Sequence, residues 1–227
     1  SSRAHGGGPP KLTEEEYQDG LKIVKSGDDE QIAEIGPSFW HEAYSRDSSL
    51  MTRTATAALK EWILQDPGSG AYQMVRLAAV DAFGLDPAFV PTAKRAVARP
   101  VGRAAIQKAK IKHAQTAGIL RAIYESTQTD ESPGSEMMRQ FESGRTKVYR
   151  GVGASAKKYV AAPVESWTLD PEVAGEFGSR KMSKRLNLSH VLSHNGTTLW
   201  RKATSKWANE EELLILPSAP NWAKAKR

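Results

Sequence analysis

WANEEELLILP, residues Trp207–Pro217, sets three carboxylates, Glu210, Glu211 and Glu212, directly ahead of four consecutive aliphatic side chains. The run Leu213–Leu216, after a turn-forming Asn209, reads as a short buried strand. Side chains on a strand alternate between faces, so Glu210 and Glu212 share one face and Glu211 takes the other. Two acids then point into one place. A charged lip where a strand emerges into solvent accounts for the same residues, since glutamate is mostly exposed in folded proteins. The rest of the chain has to decide between a lip and a site.

Upstream of this stretch the periodicity is that of short strands: Lys147–Arg150 (KVYR), Val164–Thr168 (VESWT) and Thr197–Arg201 (TTLWR), with a short helix over Pro171–Phe177. The polar segment Ser126–Glu136, with Pro133-Gly134 inside it, marks the best internal boundary. Before it the spacing is helical. Thr13–Glu16 has the form of a capping box opening a helix that carries Tyr17, Leu21 and Val24 on one side. Further helices are expected over Ser49–Gln65, over Ala71–Phe83 with a stop at Gly84, and over a long span from Gly102 to Glu125. The expected fold is α+β. A flexible leader covers 1–10, a helical lobe 11–126, a linker with a short helix 127–144, and a mostly β core 145–227.

A chain of 227 residues with 39% hydrophobic content suffices for one large domain or two small ones. It has no long apolar run and no signal-peptide pattern, so a soluble protein without a membrane partner is expected. The absence of cysteine rules out disulfides, thiolate metal sites and cysteine nucleophiles, and fits a reducing compartment. Basic residues outnumber acidic ones, 32 to 26, and cluster in two acid-free stretches. One, 87–124, holds Lys94, Arg95, Arg99, Arg103, Lys108, Lys110, Lys112 and Arg121; the other, 178–209, holds Arg180, Lys181, Lys184, Arg185, Arg201, Lys202 and Lys206. Each reads either as a solvated face or as a cationic surface for the phosphates of nucleic acid.

Gly151–Ala156, GVGASA, has the G-x-G-x-x-A form of a dinucleotide-binding turn, with Asp170 about twenty residues further on. A Rossmann unit needs a full crossover helix, and Ala154–Ala162 is too short for one before Pro163. The glycines more simply let backbone approach a ligand, or form a turn. His190 and His194 have helical spacing but lack the H-E-x-x-H pattern, so they read as solvated or core histidines and no metal is expected.

An arginine closing the first strand (KVYRG), a Ser-x-Thr on a later one (ESWTLDPEVAGEFGSRK) and a Glu-x-Glu opening a late strand (NEEELLILP) stand in one order along Arg145–Pro217. In that order they resemble the R-S-E class of mono-ADP-ribosyltransferases, which includes clostridial binary toxins and many phage enzymes. The likeness covers roughly a third of the chain, and FGSRK is closest to the iota-like toxins. It implies a core of two packed sheets around a cleft for NAD, with NAD as the substrate and no metal.

The resemblance also implies roles. Glu212 matches the catalytic glutamate, beside the ribosyl cation as nicotinamide leaves, and Glu210 orients or deprotonates the acceptor. Ser166 hydrogen-bonds Glu212 and Thr168 supports that strand. Arg150 and Arg180 hold phosphate oxygens, Phe177 covers the nicotinamide ring, and Gly151 offers its backbone to the carboxamide. Glu two residues before the catalytic Glu favours arginine on a protein as the acceptor of a toxin, effector or phage enzyme acting in the cytoplasm of a bacterial or host cell. The same core modifying RNA or DNA through the stretches 87–124 and 178–209 is the second reading. A non-catalytic interaction or capsid-associated domain is the third. An antitoxin or immunity protein is a conceivable partner of such an enzyme. One departure stands out: only fifteen residues separate Arg150 from Ser166, which puts the helix normally following the first strand in doubt.

Overall fold

The computed structural model of the chain describes residue 9 and residues 11–64, 69–90, 99–129, 140–141, 145–153, 159–203 and 212–223. It divides into two compact units, 1–122 with 220–227, and 123–219. The first is helical: α1 (Glu14–Ser26), α2 (Asp29–Ile32), α3 (Pro37–Arg46), α4 (Ser48–Leu64), α5 (Gly70–Phe83) and the first part of α6 (Arg103–Thr129). The capping box forms as its sequence requires, Thr13 Oγ1 accepting the Glu16 N–H at 3.2 Å while Glu16 accepts from Thr13 N–H at 2.9 Å. Gly84 ends α5 in the left-handed region at φ 61°. Tyr17 stacks on Phe39 and Trp62 on Tyr72, and buried Phe83 lies 6.0 Å from the ring of Trp222. Arg121 is buried here, its Nε donating to the Ala82 carbonyl at 2.7 Å and its guanidinium facing the Trp222 ring. No helix among the described residues is long and apolar enough to cross a membrane.

The second unit holds β1 (Thr146–Val152), β2 (Glu165–Thr168), α7 (Pro171–Glu176), β3 (Arg180–Leu186), β4 (Val191–His194), α8 (Thr198–Ala203) and β5 (Glu212–Ile215). The strands form one sheet in the order β3-β1-β2-β5-β4, every pair antiparallel. The mixed α+β architecture is therefore present. Against the expected two packed sheets, there is among the described residues one sheet with a seam, in which β3 and β1 share seven paired positions, whereas β1 and β2 meet only at Tyr149↔Thr168. Antiparallel pairing throughout also removes the Rossmann reading of GVGASA, which needs parallel neighbours.

One face of the sheet is apolar, with Val148, Trp167, Leu186, Val191, Leu213 and Ile215 packed with Phe141. The outer edge of β4 is closed by the last turns of α6: Thr127 Oγ1 donates to the Leu192 carbonyl at 2.8 Å and Gln128 Nε2 to the carbonyls of Leu188 and Val191. The boundary expected over 126–136 therefore moves back into α6, whose residues from Ile123 onward belong with the sheet. Likewise the sheet unit ends before Pro220, and the described residues 220–223 group with the helices.

One sequence expectation fails for a local reason. Thr197–Arg201 is not a strand: the Thr197 hydroxyl accepts the Trp200 N–H at 3.3 Å and donates to the His194 carbonyl at 2.9 Å, which starts α8 instead. His190 and His194, read as solvated or core histidines, lie on a 3-10 turn and a strand. His194 ends β4 fully buried, its Nδ1 accepting the Gly196 N–H at 3.0 Å.

Candidate functional site

The register fixes which side chains share a face. Ser183 of β3, Tyr149 of β1, Thr168 of β2 and Glu212 of β5 stand directly opposite one another across four adjacent strands, so they form one row on the face away from the apolar core. The next row on that face is Lys181, Gly151, Ser166 and Leu214, and on the other side lie Arg185 and Lys147. A partly buried carboxylate thus sits at the end of a line of three hydroxyl groups. Thr168, not Ser166, is the hydroxyl directly across from Glu212; Ser166 faces Leu214. In register, then, Thr168 and not Ser166 holds the position opposite the carboxylate. Thr168 also accepts the Asp170 N–H at 3.1 Å, turning the chain into α7, where Asp170 caps by accepting the Glu172 N–H at 2.8 Å and Pro171 follows.

α7 packs on this same face. A Cβ at Gly151 would lie 2.1 Å from the Ala174 carbonyl oxygen and 2.9 Å from the Phe177 carbonyl carbon, so glycine is required there by helix-to-strand contact. Gly151 was expected to offer its backbone to a carboxamide; its observed part is packing. Phe177, whose backbone carbonyl carbon lies in that contact, is 66% exposed.

Arg150 alternates with Tyr149 and so belongs to the opposite face. Its Nη1 donates to the Ser166 carbonyl at 2.9 Å and lies 3.6 Å from Glu165 Oε2, bridging the seam where the β1–β2 ladder has stopped. Glu165 is only 3% exposed and also accepts from the Tyr159 hydroxyl. The Lys184 ammonium lies 4.3 Å from the Trp167 ring centroid on this side. Burial pulls Lys184 below the ordinary lysine range, with Glu165 opposing and Arg150 adding to the effect. Burial, then the bond to Glu165, pushes the Tyr159 phenol up. Arg180, exposed at the start of β3, pairs in register with Val152 and shares the Arg150 face.

The structure therefore brings Ser166, Thr168 and Glu212 onto one face with Gly151, places the Phe177 backbone against Gly151, and sets Arg150 and Arg180 on the other side of the sheet. Glu210 and Glu211 lie outside the described residues. Sequence reasoning missed Tyr149, Ser183, Glu165 and Tyr159. Glu165 alone had a signal, an acid that falls on the Trp167 side of the segment read as a strand. Among the described residues no group of His, Asp and Glu is placed to hold a metal ion. Comparison with protein-family models, curated proteins and solved structures finds no match to this chain.

Proposed function

We propose that the chain transfers ADP-ribose from NAD to a macromolecular acceptor and releases nicotinamide. One observation carries this reading: motifs 16 and 46 residues apart, at Arg150, Ser166 and Glu212, fall on the neighbouring strands β1, β2 and β5. In the reaction the bond between the ribosyl anomeric carbon and nicotinamide breaks, its electron pair goes to the nicotinamide ring nitrogen, and an acceptor oxygen or nitrogen takes its place. Glu212 supplies fixed negative charge beside the developing cation, and Thr168 across from it holds the carboxylate in place. Exposed Phe177 suits a flat ring.

β1 and β2 meet at a single pair, and the proposed transfer requires the dinucleotide to reach both faces at that seam. Arg150 stands in that seam, and of its five N–H donors only Nη1 is engaged among the described residues. Its remaining donors and Arg180 suit the diphosphate.

The test is NAD turnover, read as released nicotinamide, in wild type and Glu212→Gln. Loss of about 10²-fold or more is expected, as for removal of one preorganised stabiliser. Retention of a tenth of the wild-type rate overturns the assignment.

A further inference from the structure

We infer that the acceptor presented to Glu212 is a single-stranded nucleic acid, held by Lys147, Lys181 and Arg185 with Tyr149 as a stacking surface. The inference rests on the reading of Glu212 as the transfer carboxylate.

Lys147 and Arg185 are directly opposed on adjacent strands and both are exposed on the Glu212 face; Lys181 is exposed on the same face two positions further along Tyr149's strand pair. Like charges placed directly across a sheet repel, and a bound anion relieves that repulsion. Among the described residues no carboxylate is within ion-pair distance of any of the three. The basic stretch on α6 differs in this respect: Arg103 pairs with Glu30, and Lys110 lies 3.9 Å from Glu34. That stretch is acid-free in sequence but not in space, so its charge is partly spent within the protein.

Tyr149 completes the surface. It is partly exposed, stands in the Glu212 row, and has the Lys147 ammonium 5.5 Å from its ring. An aromatic face flanked by cations suits a base and its phosphates in a single strand. Spacing also fits: Lys147 is two strands and two residues from Glu212, about 12 Å at the backbone from standard sheet dimensions. A phosphate on Lys147 therefore leaves a neighbouring nucleotide over Glu212. An arginine acceptor carries positive charge, and this face would repel it. In the transfer, a ribose hydroxyl or base amine attacks the anomeric carbon, nicotinamide departs with the bond's electrons, and the acceptor's proton passes to a carboxylate or water.

The experiment has two readouts. Binding of a fluorescein-labelled, mixed-sequence 20-nucleotide single strand is followed by anisotropy at several salt concentrations; labelled NAD is supplied separately to follow transfer and nicotinamide release. Three phosphate contacts on a single strand predict a log–log salt slope of about −2, or roughly 20-fold weaker binding at 200 mM than at 50 mM salt. Lys147→Gln/Lys181→Gln/Arg185→Gln is expected to lose tenfold or more in affinity and most of that slope. The charge-preserving Lys147→Arg/Arg185→Lys variant should retain both, which separates charge from folding. Lys108→Gln/Lys110→Gln/Lys112→Gln should bind as wild type. No oligonucleotide binding, loss confined to the α6 variant, or label appearing on protein alone overturns the inference; with NAD still consumed, the transfer reading stands. Patch-dependent binding with no NAD consumed supports the surface and overturns the role of Glu212.

Discussion

Gly151→Ala is the sharpest test of how the site is held. The glycine is not in the left-handed region, so the substitution acts through contact rather than backbone strain. The new methyl would meet Ala174 O at 2.1 Å, Gly178 N at 2.8 Å and the Phe177 carbonyl carbon at 2.9 Å. All three are backbone atoms and none can rotate away. Reaching an ordinary separation of about 3.5 Å requires β1 and α7 to part by more than about 1 Å. Overpacking of this kind costs about 1–3 kcal/mol, and with only backbone to yield, the upper end applies. At about 4–8 °C per kcal/mol for a domain of this size, the sheet unit should melt about 12–24 °C lower. Gly178 offers an internal check, because its Cβ would lie 2.5 Å from Val152 O across the same contact. Once one alanine has forced the backbones apart, the second should cost less, so Gly151→Ala and Gly178→Ala should fall short of additivity by about 1 kcal/mol or more. Scanning calorimetry on the single and double variants measures both quantities. A fall in Tm below about 3 °C, or strict additivity, refutes the close approach of α7 to β1.

Thr168→Val should reduce NAD turnover more than Ser166→Ala, because Thr168 faces Glu212 and also satisfies the Asp170 N–H; the opposite ranking in released nicotinamide would restore the roles that the resemblance implies. Glu165→Gln should lower the Lys184 pKa further, since Glu165 is the charge that opposes the burial effect, and an amine-reactive ester at pH 8 should then label Lys184 faster by mass spectrometry. With its folded-state pKa depressed, Lys184 binds fewer protons in the folded than in the unfolded chain between that depressed value and about 10.4, so its contribution makes stability rise with pH across that window. Denaturant titrations of Lys184→Met should show a flatter rise. Thr197→Ala removes the cap of α8 and should cost about 1 kcal/mol by urea unfolding.

What the sequence makes legible follows from where the information is local. Thr13–Glu16 and Gly84 announce helix ends by chemistry confined to a few residues, and the helices they bound are found. α2, a single turn, and the ten-residue α3 go unread although Asp28 caps one and Pro37 starts the other. Thr-Thr-Leu-Trp has strand propensity, yet one hydroxyl bridging His194 O and Trp200 N–H makes it a helix. β4 is buried at all four positions, so it lacks the alternation that identifies a strand. In β3 the alternation Met182, Lys184, Leu186 is disguised because the inward member is a lysine, whose ammonium sits over the Trp167 ring.

The candidate site depends on register, which no single motif encodes. A slip of one residue exchanges every side chain between faces. Trp167, Leu213 and Ile215 must all reach the core, and Trp167↔Leu213 with Glu165↔Ile215 satisfies that demand. Thr168 and Glu212 are then forced to the other face together, so the pairing of hydroxyl and carboxylate is a consequence of where the apolar residues go. The same parity was available for Arg150: it stands two residues from core Val148, while Glu212 is adjacent to core Leu213. Arg150 and Glu212 therefore cannot face one another across an unbroken sheet. The proposed transfer, if it uses both residues, requires its ligand to pass where β1 and β2 part, beside the guanidinium that bonds the Ser166 carbonyl, which makes the one-pair ladder at Tyr149↔Thr168 the feature on which that proposal depends.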